Sequence, residues 1–193
     1  MRHVRLLSGA GLALVVALIA AGCGNTTASS TGHQTSPSAV SSQPATASNV
    51  PAAAPQPSGL APAFSVTATD GQIVTVPSDH TTVLYFMAAW CGSCAAGEQQ
   101  LAQLQPQLPQ GVQMVSLDVT PQSDTPAALD KLAAAAGAKW PQAFASTAVI
   151  SAYKVTYLDT VAVVSPKGQL AYEGPIPSSP KLLSIVRIAA GTD

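Results

Sequence analysis

The stretch that decides the fold is Trp90-Cys91-Gly92-Ser93-Cys94, in which two residues separate a pair of cysteines. The apolar run 83–87 precedes it, and leucines at helical spacing follow it from Leu101 onward. This order places the cysteines where a buried strand gives way to a helix. The free N–H groups and the dipole of a helix N-terminus favour negative charge. We therefore expect the pKa of Cys91 to lie below the usual thiol value of about 8.5.

The spacing of the two cysteines predicts a reversible dithiol/disulfide pair. Cys91 is expected on the exposed lip of the turn, and Cys94 lies one helical turn further on, from where it can close a small disulfide. Two alternatives stay open at this point. The pair could be a stable disulfide of an exported domain, or it could be part of a metal site, because half of a zinc site has the same spacing.

Taken together, the buried strand, the sequence Ala-Ala-Trp-Cys-x-x-Cys and the following helix resemble the thioredoxin superfamily. Within it, the chain is most similar to the membrane-anchored, extracytoplasmic branch related to TlpA and ResA. The resemblance covers about residues 61–193. It implies a thioredoxin-like fold and thiol–disulfide exchange through Cys91 and Cys94.

Periodicity and turn residues predict the element order ββ-β-α-β-α-α-β-β-α from about residue 60 onward. Asp70-Gly71 predicts the turn of an N-terminal β-hairpin, a feature of the TlpA-like branch. Segment 140–143 is predicted to be only a short extended connection. Strands that alternate with helices and then end on a hairpin predict an α/β sandwich, with a central mixed β-sheet flanked by helices.

The N-terminal residues 1–22 have the pattern of a secretory signal, with a short basic start and an apolar run too short to span a bilayer comfortably. The run ends in Ala20-Ala21-Gly22-Cys23, which resembles a bacterial lipobox, although Ala20 stands where such boxes usually carry Leu. The resemblance implies cleavage before Cys23 and lipidation of that cysteine, which would anchor the chain to a membrane. An ordinary signal peptide and a retained N-terminal anchor are the alternatives.

The segment between this signal and the domain is predicted to be a disordered tether. Residues 23–59 are almost entirely Ser, Thr, Ala, Pro, Gln, Gly and Asn, and such a segment cannot bury enough apolar surface to offset its ordering entropy. Residues 60–193 then form the thioredoxin-like domain. Of the 3 cysteines in the chain, lipidation of Cys23 would leave the other two as a closed pair. We therefore expect the protein at the extracytoplasmic face of the cell membrane, where disulfides persist.

Three positions around the dithiol depart from what the resemblance implies. Tyr85 stands where the superfamily often has a buried acid, six residues before the first cysteine. Gly97 replaces a glutamate that is common in the TlpA-like branch, and Asp159 occupies the position of the cis-proline that faces the dithiol. Because a cis peptide is essentially a proline feature, we expect the Leu158–Asp159 peptide to be trans, in a remodelled loop.

Three residues are predicted to shape the site or to relay protons: Trp90, Glu98 and Asp159. Trp90 is expected to pack beside Cys91 and to shape a docking surface. A carboxylate of Asp159 facing the sulfurs would raise the pKa of Cys91, would favour a reductant, and could accept a proton from Cys94. Alternatively, Asp159 is a solvated loop residue. Glu98, one turn beyond Cys94, is expected to be either a proton relay or a surface helix residue.

Charge and composition narrow the functional classes. The net charge is −1 and only 9% of the residues are charged, so nothing suggests nucleic-acid binding. The resemblance implies a thiol–disulfide oxidoreductase that reduces exported proteins with disulfides and is resupplied by a membrane electron donor. An oxidase that introduces disulfides, and a metal-binding or metal-delivery module on the same cysteines, are the alternatives. We expect no cofactor and no resident metal, because the chain offers no third thiol or nearby histidine for a closed site.

Overall fold

A computed structural model describes residues 59–192 of the chain. The predicted signal segment, the predicted lipidation of Cys23 and all but the last residue of the predicted tether lie outside the described residues. Within the described part, no helix combines the length and the apolar character needed to cross a membrane.

The described chain forms seven strands, four α-helices and one short 3-10 helix. The strands are β1 Phe64–Thr67, β2 Ile73–Val76, β3 Thr82–Met87, β4 Gln113–Asp118, β5 Gln142–Phe144, β6 Thr160–Val164 and β7 Leu170–Pro175. The α-helices are α1 Gly92–Leu104, α2 Pro126–Ala136, α3 Thr147–Ala152 and α4 Ser179–Ala190. The 3-10 helix, Gln105–Gln107, continues directly from α1.

The strands form a hairpin and one mixed sheet. β1 and β2 pair antiparallel, and the larger sheet has the order β5-β4-β3-β6-β7. β3 and β5 run parallel to β4, whereas β6 and β7 add antiparallel pairs on the other side. This architecture confirms the predicted thioredoxin-like sandwich with its N-terminal hairpin. The interpretation of segment 140–143 as a mere connection was wrong, because Gln142 pairs with Ser116 and opens the edge strand β5.

The central strand β3 is buried along its whole length, because a layer packs on each face of the sheet. Successive side chains of a strand point to opposite faces. Tyr85 and Met87 accordingly belong to the core that includes buried residues of α1, α2 and α4. Leu84 and Phe86 belong to the second core, with residues of the hairpin and of α3. Tyr85 therefore lies beneath α1, the helix that carries the dithiol.

Local sequence explains where α2 begins and ends. Thr125 is its N-cap, and the Thr125 hydroxyl accepts a hydrogen bond from the N–H of Ala128 at 3.3 Å. Pro126 occupies the first helical position, where its missing N–H costs nothing. Gly137 ends the helix with a φ of 78°, the left-handed conformation that favours glycine. Residues of the local sequence therefore set both ends of this helix.

Candidate active site

A disulfide joins Cys91 and Cys94 at the N-terminus of α1, with 5.2 Å between their Cα atoms. Cys91 is the N-cap residue of the helix, and its sulfur accepts a hydrogen bond from the backbone N–H of Cys94 at 3.2 Å. The hydroxyl oxygen of Ser93 lies 3.3 Å from the same sulfur. Helix N-termini and nearby donors favour a thiolate, so the geometry favours Cys91 as the thiolate once the disulfide opens.

The exposure of the two sulfur-bearing residues differs from the expectation. Cys91 was expected on an exposed lip, but it is only 8% exposed, and Cys94 is completely buried. The reason is that the Cys91 side chain turns inward to cap α1 and to reach Cys94. The exposed neighbour is Trp90, which is 62% exposed and donates from its indole nitrogen to the hydroxyl of Thr120 at 3.2 Å. Trp90 therefore presents the apolar surface next to the dithiol.

The three positions that departed from the expected pattern meet in space. Tyr85 donates a short hydrogen bond to Oδ1 of Asp159, and its hydroxyl also lies 3.1 Å from the carbonyl oxygen of Cys94. Gly97 faces this pair from α1. A Cβ atom at this position would clash with the Tyr85 hydroxyl and lie 2.5 Å from Oδ1 of Asp159. Tyr85 and Asp159 thus fill the space that a side chain at Gly97 would need.

The backbone of Asp159 explains why the loop tolerates the loss of the proline. The cis peptide bond of the described chain precedes Pro77, so the Leu158–Asp159 peptide is trans, as predicted. Asp159 has a φ of 67°, a left-handed conformation that aspartate adopts more readily than most residues. Its N–H donates to the carbonyl of Phe86 at 3.0 Å, and its carbonyl accepts from Ile176 at 2.9 Å. The alternative of a freely solvated loop residue is wrong, because Asp159 is half-buried and hydrogen-bonded.

The hydroxyl of Tyr85 keeps its proton, because its surroundings raise its pKa above the ordinary value. Burial raises its pKa most, and the hydrogen bond to Asp159 raises it further. A neutral phenol has one proton to donate, which the Asp159 carboxylate and the Cys94 carbonyl compete for. The pair therefore couples the carboxylate of Asp159 to the first turn of α1 through a single hydroxyl.

Glu98 lies in the core, so the alternative of a surface helix residue is wrong. It is fully buried, and its carboxylate accepts from Ser116 at 2.8 Å and from the amide of Gln142 at 2.8 Å. Burial raises the pKa of Glu98, against the opposing effect of those two hydrogen bonds. Ser116 in turn accepts from the indole nitrogen of Trp140 at 2.8 Å. Because Ser116 pairs with Tyr85 across β3 and β4, these side chains form a polar row beneath α1.

A carboxyl pair at the N–H of Ala89, two residues before Cys91, was not predicted from the sequence. Asp118 ends β4 and is fully buried, and Asp124 lies in the loop that follows. The N–H of Ala89 lies 3.2 Å from Oδ2 of Asp118 and 3.0 Å from Oδ2 of Asp124. Burial and the contact with Asp124 raise the pKa of Asp118 to about 6. The position of Asp118 in the sequence could have indicated this pair. Asp118 ends a strand that runs parallel to β3, and functional sites form outside the carboxyl ends of parallel strands.

The described residues contain no group of three or more His, Cys, Asp or Glu side chains placed to hold one metal ion. A metal ion held by the two cysteine sulfurs would need further ligands, and the carboxylate of Asp159 is a candidate by its sequence position. In the structure the Asp159 carboxylate is engaged by Tyr85 instead. Any soft ion bound here would have to rely on Cys91 and Cys94 themselves.

Fold and site together define a thioredoxin-like protein with a dithiol at the N-terminus of its first helix. The AhpC/TSA family model matches residues 57–173, which is more than half of the chain. The chain belongs to this family.

Known proteins of this fold include thiol–disulfide oxidoreductases. A Streptomyces lividans protein named "Mercury resistance operon ORF3" is 27% identical over 136 residues, covering 68% of this chain and 72% of that protein. StoA from Bacillus subtilis aligns with a TM-score of 0.55 and 16% identity, over 64% of this chain and 96% of StoA. A secreted Mycobacterium tuberculosis disulfide oxidoreductase, homologous to E. coli DsbE, aligns with a TM-score of 0.54 and 18% identity, over 65% and 95% of the two chains. At these identities the structural likeness shows the fold.

Proposed function

We propose that this protein is a membrane-anchored thiol–disulfide oxidoreductase of the TlpA/ResA-like type, which reduces disulfides of exported proteins. The observation that carries the proposal is the disulfide at the N-cap of α1, where the sulfur of Cys91 faces the N–H of Cys94 at 3.2 Å. This arrangement stabilises a thiolate on one sulfur and keeps the second sulfur within reach. Membership of the AhpC/TSA family supports thiol chemistry at this position.

The proposed reaction transfers two electrons from the dithiol to the substrate. The Cys91 thiolate attacks one sulfur of a substrate disulfide, forming a mixed disulfide and releasing the first substrate thiolate. Cys94 then loses its proton and attacks the sulfur of Cys91. The Cys91–Cys94 disulfide forms, and the second substrate thiolate leaves. A membrane dithiol donor returns two electrons to the pair and restores the reduced form.

The second attack needs a base for the Cys94 proton, and Asp159 fits this role. Its carboxylate lies against the turn of α1 that carries Cys94, coupled to it by the Tyr85 hydroxyl. Glu98 is the alternative relay, one turn further along α1, where burial raises its pKa. The polar partners of Glu98 already occupy its oxygens, so we assign the proton of Cys94 to Asp159.

The charge of Asp159 supports the reductase direction. A carboxylate at Asp159 disfavours a nearby thiolate, and a less stabilised thiolate makes the disulfide less oxidising. An oxidase would need the opposite bias. Among the described residues no salt bridge joins a cation to buried Glu98, so its charge would add to the same trend if it ionised. We therefore favour a reductant over a disulfide donor.

The anchoring and the partners rest on the N-terminal sequence. The lipobox-like ending at Cys23 supports lipidation there and a position at the extracytoplasmic face of the cell membrane. The low-charge tether that follows would let the domain reach exported substrates and a membrane electron donor. Labelling the full chain with a radioactive fatty acid, with Cys23→Ser as the control, tests this part. Equal labelling of both chains would refute the lipid anchor.

A redox titration tests the direction. The full chain is equilibrated in dithiothreitol or glutathione buffers, and the thiols of the Cys91 and Cys94 peptides are trapped and quantified. A midpoint near or below that of thioredoxin, about −270 mV, supports a reductase, whereas a value near about −120 mV would identify a disulfide donor and refute it. Asp159→Asn should shift the midpoint to a more positive potential. An unchanged midpoint in this variant would remove Asp159 from the argument.

A second candidate function is the handling of a soft metal ion by the reduced dithiol. One observation favours it: the Streptomyces lividans relative is named for a mercury resistance operon. Two thiolates are soft ligands of the kind that select thiophilic ions. Titration of the reduced chain with Hg(II), compared with Cys91→Ser and Cys94→Ser, distinguishes the two functions. Tight binding that needs both cysteines, in a chain without disulfide reductase turnover, would move this candidate to the front.

A further inference from the structure

The carboxyl pair of Asp118 and Asp124 takes no part in the exchange steps, yet it holds the two residues that lead into Cys91. The N–H of Ala89 lies 3.2 Å from Asp118 and 3.0 Å from Asp124, so both carboxyl groups meet at one donor. This N–H is partly buried, and the two acidic side chains that approach it satisfy its need for an acceptor. The segment before the nucleophile is therefore fixed by acids from β4 and its loop.

A second connection reaches the same pair from Trp90. The indole N–H of Trp90 donates to the hydroxyl of Thr120 at 3.2 Å. That hydroxyl lies 3.0 Å from Oδ2 of Asp124 and 3.3 Å from Oδ1 of Asp118. The N–H of Thr120 also donates to Asp118 at 2.7 Å. The backbone N–H of Ala89 thus contacts the two carboxyl groups directly, and the side chain of Trp90 is linked to them through the hydroxyl of Thr120.

We propose that Asp118 and Asp124 form a carboxyl pair that positions the Ala89–Trp90 segment, and through it Cys91, for attack on a substrate disulfide. This role in the attack rests on the proposed function, whereas the positioning of the segment and its effect on the Cys91 thiol do not. Both acids are positioning residues, because they reach the reacting sulfur only through the segment they hold.

The groups around Asp118 explain why its ionisation is disfavoured. A neighbouring carboxylate repels the charge that Asp118 would gain on losing its proton. Asp118 is faced by Asp124, by Thr120 and by the N–H of Ala89. Among the described residues, the one salt bridge joins Asp79 and His80. No salt bridge to a cation therefore neutralises Asp118 or Asp124 in that part of the chain.

The protonation state of Asp118 should change the stability of the Cys91 thiolate. When Asp118 loses its proton, a further negative charge appears beside the segment that ends in Cys91, and this charge disfavours the thiolate. Burial and the contact with Asp124 raise the pKa of Asp118 to about 6. The reactivity of Cys91 should therefore show a second inflection near this pH, below its own titration.

The experiment measures the pair's effect on two kinds of reactivity in the full chain. In a Cys94→Ser background, iodoacetamide alkylation of the Cys91 peptide is followed by mass spectrometry from pH 5 to 9, and insulin reduction is measured with both cysteines present. We expect Asp124→Asn to abolish the inflection and to raise alkylation at pH 7 about threefold, since half a pKa unit changes the thiolate fraction by that factor. We expect insulin reduction to fall roughly tenfold, because the nucleophile is less well placed.

A rise in alkylation together with a fall in insulin reduction would distinguish loss of positioning from a general loss of structure, because unfolding would lower insulin reduction without this specific change in alkylation. Asp118→Asn should behave in the same way, and unfolding curves show whether this buried change is tolerated. Asp79→Asn is the matched control, because that side chain is 87% exposed and contacts His80 rather than the pair. Thr120→Val should raise acrylamide quenching of exposed Trp90 while the inflection stays.

The inference is overturned if the inflection persists in Asp124→Asn and Asp118→Asn, or if alkylation and insulin reduction fall together in folded variants. Failure of the proposed function looks different. In that case the wild-type chain does not reduce insulin, while the alkylation profile and the quenching of Trp90 still respond to Asp124→Asn and Thr120→Val.

Discussion

Gly97 on α1 has no room for a side chain, so the substitution Gly97→Ala tests the packing behind Cys94. The added Cβ would clash with the Tyr85 hydroxyl and lie 2.5 Å from Oδ1 of Asp159. Overpacking costs about 1–3 kcal/mol and the weakened hydrogen bond about 1 kcal/mol, while alanine returns about 1 kcal/mol of helix propensity. We therefore expect the free energy of unfolding to fall by roughly 1–3 kcal/mol.

Urea unfolding of the oxidised chain measures this change as a lower midpoint at an unchanged slope. Gly92→Ala is the matched control on the same helix, because a Cβ there meets nothing within 4 Å and the chain should keep its stability. Adding Tyr85→Phe to Gly97→Ala removes the clashing hydroxyl, so the two changes together should cost less than their sum. A Gly97→Ala chain as stable as the wild type would refute the packing described for Tyr85 and Asp159.

Three further predictions concern groups around the helix and the sheet. Ser93→Ala removes the hydroxyl beside Cys91 and should slow alkylation of the reduced chain at pH 7 about threefold, measured by thiol trapping. Glu98→Ala removes an acceptor from the buried Ser116 hydroxyl and the buried Gln142 amide and should lower the free energy of unfolding by about 1–3 kcal/mol in urea, whereas an unchanged midpoint would contradict the network. Asp118 has a raised pKa of about 6 in the folded chain, so its stabilising contribution is complete below about pH 4 and lost as the pH rises through 6. Asp118→Asn should flatten that part of the curve of melting temperature against pH.

Local signals were enough to predict the fold and the dithiol. The apolar run of β3, the C-x-x-C spacing and the Asp70-Gly71 turn are all read within a few neighbouring residues. β5 was missed because it has only three residues and follows Pro141, and its identity as a strand depends on pairing with β4. A short segment carries too little periodicity to distinguish an edge strand from a connection.

The contacts around the site could not be predicted from the sequence, for a different reason. Tyr85 and Asp159 lie 74 positions apart in the sequence, and no local pattern specifies that one donates to the other. Asp118 and Asp124 are close in sequence, but an acid at the end of a strand is more often solvated than buried. Only the register of β3 with β4 places Asp118 beside the residues that follow Met87. Tertiary pairing, rather than composition, creates both carboxyl sites.

The departures at Tyr85, Gly97 and Asp159 are better understood as one change than as three losses. An acid carried on the loop before β6 still reaches the helix turn of Cys94, provided that a phenol bridges the gap and that the helix offers a glycine there. The three residues depend on one another. A side chain at Gly97 would clash with Tyr85 and Asp159, and without the Tyr85 hydroxyl the Asp159 carboxylate would lose this hydrogen-bond donor. In this chain an acid therefore lies against the helix turn of Cys94 at a position where the sequence resemblance implies a proline, and the proton transfer proposed for Asp159 depends on that placement.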